Sequence, residues 1–138
     1  MKALSLKQPM AWGIIHGGKD IENRKWKNKH AHGTIAIHAS NKFGNEFVLP
    51  RGVKKPPEEE MVQGAIIGLV DIVDVVEQHK SKWFTGPYGF ILANPRPLHR
   101  PIPFKGKLGF WEVPPDIVKK IKSQLGISER LQMGGNLS

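Results

Sequence analysis

"GAIIGLVDIVDVVE" (64–77) is the stretch on which the fold turns. Its β-branched residues favour a strand, and its unbroken apolar start fits one buried on both faces. Periodicity alone leaves a helix open, because a short apolar run satisfies either period. Read as a strand, it joins several others. "TIAIHAS" (34–40) alternates, placing Ile35, Ile37 and Ala39 on one side and Thr34, Ala36, His38 and Ser40 on the other. "YGFILAN" (88–94) reads as a strand ended by Asn94-Pro95. "PLHRPIPF" (97–104) has three prolines that cannot donate to a ladder, so it is expected at an edge or merely extended. "LGFWEV" (108–113), after the turn "KGK", reads as the last strand.

Two helices complete the set. In "PMAWGIIH" (9–16), Pro9 suits the first helical position and Gly17-Gly18 ends the run. Residues 116–125 place Ile117, Val118, Ile121 and Leu125 on one face with lysines opposite, and Gly126 stops the helix. Residues 41–63 are rich in glycine, proline and charge, and read as a long excursion with one helical turn near Glu46. Five or six short strands with small helices and no βαβ alternation predict an α+β protein built on a partly closed β-barrel. One domain is expected over residues 1–126, with a loosely held tail over 127–138.

The bulk numbers set limits. A chain of 138 residues, 39% hydrophobic and 24% charged, suits a single soluble globular domain. No apolar run is long enough to cross a bilayer, and the N-terminus lacks the apolar region of a secretory signal. With no cysteine, disulfides, thiolate metal sites and cysteine nucleophiles are excluded, and a cytoplasmic location is expected. Lysine and arginine total 21 against 12 acidic residues, a formal charge of +9. That balance is the electrostatic footprint of a nucleic-acid partner. The excess is concentrated: residues 1–30 hold seven basic and two acidic side chains, whereas residues 51–100 hold seven and six.

Within the basic N-terminal part lies "GGKDIENRKW" (17–26). As a strand over 20–26, it puts Glu22, Arg24 and Trp26 on one face and Ile21, Asn23 and Lys25 on the other. Glu22 and Arg24 are then one pleat repeat apart, close enough for a charge-assisted hydrogen bond. Such a trio with Lys19 is either an ion pair closing one end of the fold or an anion grip whose cations Glu22 orients. For Lys19 to serve as a base its pKa would have to fall by desolvation, and Glu22 opposes that fall. The residues therefore favour binding over catalysis at Lys19.

Four stretches in this order resemble the activating signal cointegrator homology (ASCH) family, a branch of the PUA-like β-barrels. "LSLKQPMAW" (4–12) is similar to the family's opening L-S-x-x-Q-P-W-A, with Met10 where tryptophan is frequent. "GGKDIENRKW" is similar to its G-x-K-x-x-E-x-R signature. "GAIIGLVDIVD" is similar to its central strand, and "GPYGFILANPRPLHRPIPFKGKLGFWEV" (86–113) to its closing strands. The resemblance implies RNA, nucleic-acid or nucleoside binding in a basic cleft. It also brings in two activities: metal-dependent cleavage of single-stranded RNA, and hydrolysis of the acetyl amide of 4-acetylcytidine. The second uses a lysine, a threonine and a glutamate. Lys19 stands at the lysine's position, Glu22 stands where the threonine would be, and Asp71 is the candidate for the third.

The expected ligand-binding set is Ser5, Lys7, Gln8, Lys19, Glu22, Arg24, Trp26, Ser40, Trp83 and Tyr88, with Lys19 and Glu22 as the candidate catalytic pair. Trp26, Trp83 and Tyr88 are chosen as rings on which bases could stack. Gln8 offers a donor and an acceptor to a base edge, and Ser5 a hydroxyl to a phosphate; both suit helix capping equally well. The six histidines form no zinc-ligand array, and Asp71 with Asp74 is a weak magnesium signal, so no metal site is assigned. No cofactor is expected, save magnesium under the ribonuclease reading. The primary reading is recognition of single-stranded RNA or a nucleotide. Its rivals are a ribonuclease or amidohydrolase, and a protein-interaction module within an RNA-associated assembly.

Overall fold

The stretch 64–77 forms a strand at the heart of a six-stranded mixed sheet. The computed structural model describes residues 1–25, 27, 32–43 and 49–126. In chain order these give β1 (Lys2–Gln8), α1 (Met10–His16), β2 (Ile21–Arg24), β3 (Gly33–Phe43), a 3-10 turn (Glu58–Glu60), β4 (Ala65–Val76), β5 (Tyr88–Pro103), β6 (Phe110–Glu112) and α2 (Pro115–Gln124). The strand order is β2-β5-β4-β3-β1-β6. Only β1 and β3 run parallel; the other neighbouring pairs are antiparallel.

The α+β class and the mostly antiparallel sheet agree with the sequence. The sheet is open, however: β2 and β6 are its two edges, so the strand ladder does not close into the expected barrel among the described residues. No helix among the described residues is long and apolar enough to cross a membrane. The expected helical turn near Glu46 and the tail over 127–138 lie outside the described residues.

Both faces of the sheet are covered. On one, Leu4, Leu6, Ile35, Ile37, Val70, Ile72, Phe90 and Leu92 pack with Ala11, Ile14 and Ile15 of α1. On the other, Ala3, Ala36, Leu69, Leu98, Ile102 and Trp111 pack with Ile117 and Ile121 of α2. Burial of each such aliphatic side chain contributes about 1.5–3 kcal/mol. Gly68 is what lets α1 sit so close. A Cβ there would lie 2.6 Å from the Arg96 carbonyl oxygen and 2.8 Å from Ile15 Cδ1.

Two departures from the sequence reading are instructive. Residues 2–8, to which the sequence reading assigned no strand, form β1, which inserts between β3 and β6. Second, Asn94-Pro95 does not end a strand. β5 runs on to Pro103, and Asp71 pairs with Ala93 while Leu69 pairs with Arg96, so Asn94 and Pro95 form a bulge. Asn94 adopts φ 54°, a left-handed conformation that asparagine tolerates.

Candidate functional site

The short strand β2 builds the site. It pairs with the start of β5, setting Glu22 opposite Phe90 and Arg24 opposite Tyr88. Phe90 belongs to the core beneath α1, so Glu22 and Arg24 face that layer. Lys19 reaches the same place from the turn after α1. Its backbone N–H donates to the Gly13 carbonyl at 2.9 Å, which folds the chain back beneath the helix.

There the three charged groups form a chain. Lys19 Nζ lies 3.3 Å from Glu22 Oε1, and Arg24 Nη2 lies 3.5 Å from Glu22 Oε2. The Lys19 side chain is completely buried, that of Glu22 is 7% exposed and that of Arg24 30%. Lys19 Nζ also donates to the Ile21 carbonyl and stands 5.6 Å from the centre of the Trp83 ring, within cation–π range. Arg24 is thus the outer cation of the three and Lys19 the inner one.

The chain of charges leaves bonding capacity unused. Glu22 Oε1, Arg24 Nε, Arg24 Nη2 and Trp83 Nε1 are buried without a hydrogen-bond partner among the described residues. Ion-pair proximity holds the charges together, while these donors and this acceptor remain unsaturated, and such buried polar atoms are costly unless something meets them. Burial, the dominant influence on Lys19, lowers its pKa from the ordinary 10.5; the Glu22 carboxylate pulls it back up in part. The opposition from Glu22 expected from the sequence exists, but desolvation outweighs it.

A strap between β4 and β5 closes the inner wall, and β2 holds it with its other face. Asn23 Nδ2 donates to the Trp83 carbonyl at 2.9 Å, and its Oδ1 accepts from Thr85 N–H at 2.8 Å and Gly86 N–H at 3.2 Å. Ser81 Oγ bonds the Asp20 carboxylate and accepts from Trp83 N–H at 3.1 Å. Asn23 and Ser81 are positioning residues that the sequence reading did not single out. The two-residue period of β2 was the available signal for Asn23.

The remaining candidates divide. Tyr88 lies across the ladder from Arg24 and is half-buried. Trp83 is part of the site, but the residue is only 4% exposed and one face of its ring is taken by Lys19, so it is a wall rather than a stacking platform. Trp26 lies outside the described residues. Gln8 is fully buried and holds local structure: its Oε1 accepts from Trp12 N–H at 2.9 Å and its Nε2 donates to the Val62 carbonyl at 2.8 Å. It therefore pins the start of α1, and with both ends of the amide engaged it is not open to a base edge.

Ser5 and exposed Lys7 alternate with Leu6 and Gln8 on β1, so they face away from α1. Ser5 Oγ bonds His38 Nδ1 at 3.1 Å and accepts from Trp111 Nε1–H at 2.9 Å, while His38 Nε2 bonds the Phe104 carbonyl at 2.7 Å. Ser5 thus belongs to a separate polar network on the α2 side. Burial lowers the His38 pKa below 6.5 against the raising effect of the Phe104 carbonyl. Ser40 Oγ is buried without a hydrogen-bond partner among the described residues.

Asp71 is also apart from Lys19. Thr34 Oγ1 donates to it at 2.7 Å, Asn94 Nδ2 at 3.1 Å and Arg96 Nη2 at 2.6 Å. Burial works to raise the Asp71 pKa, and those three donors with the Arg96 charge outweigh it, so the carboxyl sits below its ordinary value. Among the described residues no three histidine or acidic side chains cluster as a metal site.

An open mixed sheet covered by two helices, with a buried lysine–glutamate–arginine chain beside its edge strand, defines the class: a small α+β domain of ASCH type. The chain matches the ASCH domain over residues 4–101, and it belongs to that family. It is 27% identical to human activating signal cointegrator 1 and 26% identical to the mouse protein, covering 88% of this chain in both cases. The chain spans only 24% of the length of these relatives. Its fold is similar to the crystal structure of ASCH from Zymomonas mobilis, with a TM-score of 0.58 at 18% identity, covering 88% of this chain and 93% of the other. A substituted form of that protein gives a TM-score of 0.56 at 19% identity, with 88% and 96% covered.

Proposed function

We propose that this ASCH domain binds single-stranded RNA or a nucleotide at the Lys19–Glu22–Arg24 chain. The observation that carries the reading is the set of buried, unsaturated polar atoms there, Glu22 Oε1, Arg24 Nε, Arg24 Nη2 and Trp83 Nε1. A nucleotide supplies an anion for Arg24 and both donors and acceptors for the rest. Glu22 keeps the two cations oriented, and Tyr88 offers a ring beside Arg24. The excess charge of +9 draws the polyanion in. Residues 1–126 act as one binding domain in this reading.

The test is a titration of a labelled RNA oligonucleotide with wild type and Arg24→Ala. Binding is expected to weaken at least tenfold while the melting temperature changes little. Unchanged affinity with a collapse in stability would make the trio a purely structural ion pair. A hydrolytic second reading rests on one observation, the lowered pKa of buried Lys19, which makes its amine a better base. Turnover of 4-acetylcytidine, or cleavage of labelled RNA with and without magnesium, tests it; silence in all assays rejects it.

A further inference from the structure

A concavity lies on the α2 side of the sheet, where α2 meets the end of β5. It measures about 660 Å³ and is lined by His99, Arg100, Ile102, Lys119, Lys120 and Asp116, with Ser123 and Gln124 completing it. α2 is anchored by Ile117 and Ile121 in the core of Trp111 and Leu98, away from the layer of α1 and Lys19. Arg100 from β5 and Lys119 and Lys120 from α2 thus line an open groove with three cations and one carboxylate, Asp116. Asp116 sits in the first turn of α2, where the helix N-terminus already favours a negative charge.

The polar groups of the groove are unequally free. The Gln124 amide is spent on the backbone of Arg100: Oε1 accepts from its N–H at 2.9 Å and Nε2 donates to its carbonyl at 2.8 Å. This clamp fixes the strand that carries Arg100 against the helix that carries Lys119 and Lys120. With that amide engaged, the three cations and the apolar side chain of Ile102 suit a sugar-phosphate chain.

We propose that the groove between α2 and β5 binds the phosphate backbone of a single-stranded nucleic acid, independently of the Lys19 site. The experiment uses a fluorescent oligouridylate and the full chain, with affinity followed by anisotropy from 0.05 to 0.5 M KCl. Each lost phosphate contact lowers the slope of log K against log salt by about 0.7 for single strands. Lys119→Gln with Lys120→Gln should therefore flatten the slope by about 1.4 and weaken binding about 25-fold at 0.1 M, with the curves converging near 1 M.

Lys54→Gln with Lys55→Gln, two exposed positions outside the groove, is the charge-matched control. Equal losses in the two variants would overturn the proposal in favour of general surface charge. Displacement of the oligonucleotide by polyglutamate at equal charge concentration, lost in the Lys119/Lys120 variant, would overturn it in favour of an acidic peptide. In an Arg24→Ala background the slope change should persist. Failure of the Lys19 reading would leave this effect intact, whereas its disappearance there would show one shared site and refute independence.

Discussion

Glu22→Gln keeps the shape of the buried carboxylate and removes its charge, leaving Lys19 as a buried cation held by the Ile21 carbonyl and the Trp83 ring. Removing one partner of a buried pair costs about 3–5 kcal/mol. The retained amide oxygen can still accept a hydrogen bond, which favours the lower half of that range. Lysine also has an escape by losing its proton. Against an ordinary pKa of 10.5, neutral lysine at pH 7 costs at most about 4.8 kcal/mol, and at pH 9 at most about 2.

The sign follows from proton counting. Native Lys19 titrates below 10.5, so between its native pKa and 10.5 the unfolded chain holds more protons and stability rises with pH. Without Glu22 to pull the pKa back up, that window extends to lower pH. Urea denaturation should therefore show Glu22→Gln losing about 3 kcal/mol at pH 7 and less at pH 9. Lys19→Met combined with Glu22→Gln should recover at least half the loss, because the completely buried cation is then gone and only the part-exposed Arg24 lacks its carboxylate. A loss below about 1 kcal/mol at pH 7, or one independent of pH, would refute the burial argument.

Two further outcomes test the α2 side of the sheet. His38 has a lowered pKa, so its contribution is complete above 6.5 and declines as pH falls from 6.5 toward the native value; urea melts at pH 7.5 and 5.5 should show this, and His38→Gln should flatten it. Gly106→Ala would place a Cβ 2.5 Å from the buried His38 ring and 2.6 Å from Ser5 Oγ, so it should cost about 1–3 kcal/mol by denaturation, with wild-type stability contradicting the packing.

Local pattern made much of this legible. The alternation in 34–40 predicts the sides of β3 correctly, because a period of two needs no partner to be read. The apolar face of α2 and its stop at Gly126 are equally local, and Gly126 indeed takes φ 70°. Spacing along β2 put Glu22 and Arg24 on one face, and the fold brings Lys19 to them from the turn after α1. β1 was missed because its strand character depends on the neighbours β3 and β6, both later in the chain. The apparent break at Asn94-Pro95 misled for a related reason: a bulge accommodates residues that would end an isolated strand.

The chain's own order of residues determined the α+β class, the family, the excess of positive charge and the shared face of Glu22 and Arg24 on β2. Only the tertiary structure decided which of those groups meet. It placed Ser5 with His38 and Trp111 on the far side of the sheet, gave Asp71 to Arg96, and laid the Trp83 ring against Lys19. It also decided that desolvation would outweigh Glu22 at Lys19. Spacing along a strand is a property of neighbours in the chain, whereas burial and dielectric are set by segments that arrive from elsewhere in the sequence.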